Sequence, residues 1–153
     1  MERIINAKLS SLPNDLHKIG DLFYLYYSLQ SLYRTNKGEL YICTWVERDD
    51  EYNRWLLFKV SSESVLQYLD NKISDLDLIK SSPTDFICFD VDKDQNNHNI
   101  IECPMSSLPY SYLPKPSAVF DEEDAPDIEA IRPYLIGNKL NKSTHLEISY
   151  IAH

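Results

Sequence analysis

The chain is expected to fold as a single α+β domain: a mainly antiparallel sheet of about five to seven strands with two or three short helices. Three observations carry this expectation. Residues 38–60, GELYICTWVERDDEYNRWLLFKV, are two alternating aromatic and aliphatic runs around an acidic turn, the pattern of a β-hairpin. The segment that follows, SSESVLQYLDNKIS, switches to helical spacing behind a serine cap. A length of 153 residues suits one domain with a real core, and no linker-bounded second domain or internal repeat interrupts it.

Taken in order, residues 15–34 admit two readings. Leu22, Leu25, Tyr26, Leu29, Leu32 and Tyr33 fall at helical spacing. The density of aromatics favours strands instead, and two strands near 21–27 and 30–35 are the preferred reading. Asn36, Lys37 and Gly38 make a turn into the next strand. There Leu40, Ile42, Thr44 and Val46 face one way and Tyr41, Cys43 and Trp45 the other. In the return strand Trp55, Leu57 and Lys59 alternate with Leu56, Phe58 and Val60. Both faces are largely apolar, so the pair is expected to be central and its tryptophans to belong to the core.

A helical insert is expected over 62–80, with Ser61 or Ser62 and then Ser74 as caps and Pro83 as the stop. Residues 86–91 resume a strand, and residues 99–103 pair back to it across a polar turn. The sheet core thus spans 19–103. Residues 104–153 differ in character. PMSSLPYSYLPKP holds four prolines in thirteen residues and is expected to run extended over the surface. An acidic segment follows, then a short helix near 126–135 limited by Pro133, and THLEISYIAH alternates as a final strand.

Charge is unevenly placed. The formal net charge is −9, and residues 38–130 hold 20 acids against 7 bases. Such a middle repels phosphate backbones, which argues against general nucleic-acid binding and for a soluble protein or one that docks a basic partner. Three cysteines, an odd number with no close pair, do not make a secreted disulfide framework. Neither a signal-peptide run nor a stretch of eighteen apolar residues occurs, so a cytoplasmic protein without membrane association is expected.

Few motifs carry chemistry. Asp90, Asp92 and Asp94 open like a calcium loop, but Gln95 stands where the sharp turn needs glycine and Ile101 where the bidentate glutamate belongs. A solvated hairpin turn is the simpler reading. His17, His98, His145 and His153 show no metal-ligand spacing, and no phosphate loop, dinucleotide fingerprint or nucleophile elbow is found. No catalytic residue, metal site or cofactor is therefore assigned. A Cys–His nucleophile pair, for example Cys43 or Cys103 with His98, is open to the sequence, and buried structural cysteine is the commoner fate. Arg48 and Arg54 flank the acidic turn, where they either meet a partner or neutralise their neighbours. Asp121, Glu122, Glu123 and Asp124 form the main candidate contact surface, matched to a basic groove on a partner.

Gly38-Glu-Leu-Tyr-Ile, the strand through Trp45, the run Asn53-Arg-Trp-Leu-Leu-Phe-Lys-Val-Ser and the helix bearing Leu66 and Leu69 before Lys72-Ile73 together resemble a bacterial domain-of-unknown-function family. The resemblance covers about residues 19–92, with Asn71 where the family carries glycine. It implies a small α+β domain of bacterial type and brings no catalytic residues with it. The function expected is a non-enzymatic interaction module binding a protein partner encoded nearby, inhibitor-like, antitoxin- or immunity-like, or a defence-system subunit by analogy. The alternatives are a small-ligand-binding domain or enzyme with a pocket beside the sheet, and a self-associating homo-oligomer.

Overall fold

The computed structural model describes residues 13–151, with side chains as far as residue 139. It is the expected α+β fold: six strands in the spatial order of the sequence, each antiparallel to the next. These are β1 (His17–Leu25), β2 (Tyr27–Arg34), β3 (Leu40–Arg48), β4 (Asn53–Val60), β5 (Phe86–Val91) and β6 (Asn97–Cys103). Helices α1 (Ser62–Leu69) and α2 (Asp75–Lys80) lie between β4 and β5, and α3 (Ile128–Ile151) follows three short 3₁₀ turns. Residues 15–34 thus take the strand reading.

Local chemistry explains the boundaries. Gly38 sits at φ +83 in the turn between β2 and β3, a conformation that costs glycine nothing. Helix α1 starts where the Ser61 hydroxyl accepts the Ser64 N–H at 3.1 Å and ends before Asn71 at φ 58. Helix α2 carries a reciprocal cap in which Ser74 and Asp77 each accept the other's backbone N–H.

The sheet is buried on both faces. Against the helices lie Leu22, Leu32, Ile42, Leu56, Phe58 and Phe86, with Phe58 and Phe86 rings 5.8 Å apart. Tyr33, Cys43, Leu57, Ile87, Phe89 and Val91 form a second buried cluster from the alternate positions. This is why strands β3 to β5 read as nearly continuous apolar runs. The tryptophans depart from expectation. Trp55 is half-buried beside the second cluster. Trp45 is 37% exposed, next to a register shift between Trp45 and Glu47 that breaks the strand's alternation.

The C-terminal third corrects two further expectations. The final strand expected over 144–153 is helical as far as residue 151, with 152–153 outside the described residues, so the third helix is a long one of 24 residues. Pro133 lies inside α3 and does not limit it. It forfeits one backbone hydrogen bond, and the burial of Ile131 and Leu135 on either side offsets that loss. Nor is the β1 edge free to accept a further strand where α3 begins. The Asp21 N–H donates to the Asp127 carboxylate at 2.7 Å, just before the first turn of the helix. A methyl group on Gly20 would stand 2.7 Å from the Asp127 Cβ, so only glycine admits this approach. The β1 edge where α3 begins is thus met by the helix itself and not by a C-terminal strand.

Candidate functional site

The β1–β2 hairpin turns on one residue. Leu25 pairs with Tyr27, and Tyr26 between them takes φ 63, a left-handed conformation that L-residues other than Asn and Asp rarely adopt. Register shifts at Asp21/Phe23 and Phe23/Tyr24 disturb the alternation. As a result Phe23, Tyr24, Leu25, Tyr26 and Tyr27 are all exposed, Tyr26 by 84% and Tyr27 by 76%. Five large apolar side chains in succession are thus left in water at one end of the sheet, against the general tendency of a strand to bury one face.

Below this tip lies a cavity of about 380 Å³ between the end of the sheet and the loops after β6. Phe23 and Trp45 form its wall on the sheet side, and Tyr112, Leu113 and Pro114 close it from the proline-rich segment. That segment therefore does not simply run over the surface; it folds into two 3₁₀ turns, Met105–Ser107 and Tyr110–Tyr112. Phe120 supports the cavity from behind, its ring 5.4 Å from that of Tyr68.

The floor is polar. The Tyr68 hydroxyl donates to Gln30 Oε1 at 3.2 Å, both residues being buried. Asp75, the first residue of α2, also lines the cavity beside the Tyr68 hydroxyl, which offsets part of its burial, and among the described residues its Oδ1 is shielded from solvent without a hydrogen-bond partner. Burial raises the pKa of Asp75 above the usual carboxylate value and pushes the Tyr68 hydroxyl up as well.

The residues expected from sequence to make contacts lie in three places. Asp121, Glu122, Glu123 and Asp124 make a single 3₁₀ turn in which the Asp121 carboxylate accepts the Glu123 N–H at 3.0 Å. This turn packs beside β1, and Asp121 and Asp124 reach the rim of the cavity while Glu122 and Glu123 face solvent. Arg54 is engaged within the fold. It meets Glu47 at 2.7 Å and Asp90 at 3.0 Å, and its guanidinium lies 5.6 Å from the centre of the Tyr112 ring. Arg48 is exposed at a separate open cleft with Asp49, Asp50, Glu51 and His98. The structure therefore brings half of the acidic quartet to the cavity and does not join Arg48 to it.

The calcium-like turn is a hydrogen-bonded hairpin turn. Asp92 Oδ1 accepts the N–H groups of Asp94 and Asn96, each at 2.9 Å, and Oδ2 meets His98 Nε2 at 2.8 Å. Among the described residues no group of three or more His, Cys, Asp or Glu side chains is placed to share a metal ion. The Asn96 N–H first, with His98 and Asp94, pulls the Asp92 pKa down to about 2. Since this lies below the ordinary 3.8, the carboxylate supports the turn fully above that value and loses its support as pH falls through about 2. The Asn96 amide resonance is expected to titrate with a midpoint near 2; a midpoint near 4 would show that the turn does not hold the carboxylate. Of the cysteines, Cys43 and Cys88 are buried, and Cys88 Sγ lies 4.0 Å from Cys103 Sγ. Burial pushes the Cys88 thiol up to about 12. His98 turns to Asp92 and to the ring of Tyr52, so the residues do not assemble a Cys–His nucleophile.

Sequence reasoning missed the hairpin tip and the floor of the cavity. The tip had a signal: FYLYY is five large side chains in a row, where a half-buried strand would alternate. Gln30, Tyr68 and Asp75 had none, because they lie on three different elements. Among the described residues no helix is long and apolar enough to cross a membrane. No family model, curated protein or solved structure matches the chain.

Proposed function

We propose that this chain is a non-enzymatic, cytoplasmic interaction module that docks a protein partner through the β1–β2 hairpin tip and the acidic turn beside it. The exposed aromatic run at residues 23–27 carries this reading. Tyrosine and phenylalanine supply large contact areas with little rotamer entropy to lose, and such residues dominate the binding energy of interfaces. The Tyr26 backbone adds to it, since a strained residue held at an exposed tip is a common mark of a contact site. Asp121 to Asp124 would then meet basic groups at the rim and set the approach of the partner. A bacterial protein of the family resembled at residues 19–92, acting as an inhibitor, an immunity-like partner or a defence-system subunit, fits this picture by analogy.

Co-expression with the products of neighbouring genes tests the proposal. A stable complex is expected with one of them. Tyr26→Asn combined with Tyr27→Thr should weaken it by at least about 100-fold, because two central aromatic contacts are each worth about 2 kcal/mol or more. Asparagine tolerates the left-handed turn and threonine suits a strand, so the variant should fold normally. A chain recovered alone in every co-expression, or a complex indifferent to the double substitution, overturns the reading.

A second reading, a small-ligand-binding domain, is favoured by one observation: the cavity beside the sheet with the unpartnered Asp75 oxygen in its floor.

A further inference from the structure

The cavity has a definite chemical character. Its walls are aromatic, with Phe23, Trp45 and Tyr112 around the opening. Among the described residues, Asp75, Asp121 and Asp124 are the acidic side chains that line it, and no Lys, Arg or His does so. Among the described residues Asp75 has no cationic partner within ion-pair distance, although one oxygen is shut off from water. Leaving a carboxylate in this state is costly, and burial accordingly raises its pKa.

We propose that the cavity is a binding site for an organic cation, an ammonium or guanidinium group on a short alkyl stem. The aromatic faces attract the cation through their quadrupoles and pack the stem, and the carboxylates supply the compensating charge. A volume of about 380 Å³ admits a ligand of this size with room for water. Neutral apolar ligands would leave Asp75 as it is, and anions would be repelled by all three acids. The cavity shares Phe23, Asp121 and Asp124 with the proposed docking surface, whereas Gln30, Tyr68 and Asp75 belong to the cavity alone. The cation could be a free small amine or a basic side chain offered by a docked protein.

Titration of the full chain with agmatine, followed by Trp45 fluorescence and by amide shifts of residues around the cavity, tests this. Saturable binding is expected with a dissociation constant of about 1 mM or tighter. The neutral analogue 1-pentanol should bind at least about tenfold more weakly. Asp75→Asn and, separately, Asp124→Asn should each weaken agmatine binding, the former by about tenfold. Asp124 is a half-buried rim residue, so its variant reports on charge even where the floor variant perturbs the fold. N-acetyl-arginine amide distinguishes the sources: equal or tighter binding than agmatine assigns the site to a partner's side chain, and exclusion assigns it to a free amine. Failure of both cations to saturate the site, equal affinity for 1-pentanol, or indifference to both Asp substitutions overturns the proposal. The complex is tested separately by Tyr26→Asn with Tyr27→Thr, because neither tyrosine lines the cavity.

Discussion

Arg54→Ala should lower the stability of the domain by about 3 kcal/mol, more than its position at a charged hairpin would suggest. The reason is Asp90, whose side chain is only 5% exposed. Arg54 Nε donates to Asp90 Oδ1 at 3.0 Å and Nη2 approaches Oδ2, while Asn99 Nδ2 supplies one further bond. With the guanidinium removed, a buried carboxylate keeps a single neutral donor. Breaking a buried pair from one side is expensive for this reason, whereas an exposed pair of the same geometry is worth less than about 1 kcal/mol. Arg54 is 27% exposed, which sets the effect at the lower end of the range for buried pairs.

The loss should appear in urea unfolding as a lower midpoint, and in heating as a fall in Tm of about 6–12 °C. Asp90→Asn in the Arg54→Ala background should restore part of it, because it removes the orphaned charge. A drop below about 1 kcal/mol, or no recovery in the double variant, would show that the pair behaves as a surface contact. The same substitution reaches the cavity. Arg54 stacks near the Tyr112 ring, and Tyr112, Leu113 and Pro114 wall the cavity on that side. Without the guanidinium the proline-rich segment should become more open to chymotrypsin at Tyr110, which is already 87% exposed.

How much of this was legible in the sequence depends on which interactions decide each element. Strands β3, β4 and β5 are set by side chains that alternate along the chain, and the structure pairs them as the pattern implies, Ile42 with Phe58 and Leu56 with Cys88. The caps at Ser61 and Ser74 are equally local, since donor and acceptor lie three residues apart. The C-terminal segment failed the same test because pairing there turns on contacts distant in sequence: Asp127 takes the N–H of Asp21, 106 positions earlier, and meets the β1 edge where α3 begins. Period-2 alternation at residues 144–151 carries no information about whether an edge is available.

The candidate site divides in the same way. Asp121 and Asp124 were visible as charges, but that they line one cavity with Asp75 follows from packing among β1, β3, α2 and two loops. Arg54 looked like a contact residue from its neighbours Asp49, Asp50 and Glu51. Its main partner, Asp90, is 36 positions away on the adjacent strand.

Ile131→Ala provides the corresponding test of α3, with an expected loss of about 2–5 kcal/mol. Ile131 and Leu135 are fully buried and lie one turn apart on the helix, so they form the seam by which its first turns hold to β1 and α1. The fit is close: a side chain on Gly20 would meet Ile131 Cδ1 at 3.1 Å, which leaves no slack in the neighbouring backbone. A cavity opened there can relax little, because β1 is held in register by β2 and the helix start is held by Asp127. That places the cost toward the upper part of the range. Ile136→Ala, at a position 47% exposed on the same helix, should change stability by no more than about 0.5 kcal/mol. Unequal midpoints in urea, with Ile131→Ala far the lower, are the expected result. Similar midpoints for the two variants would mean that α3 presents a different face to the sheet, and Asp127 would then not be positioned to close the β1 edge.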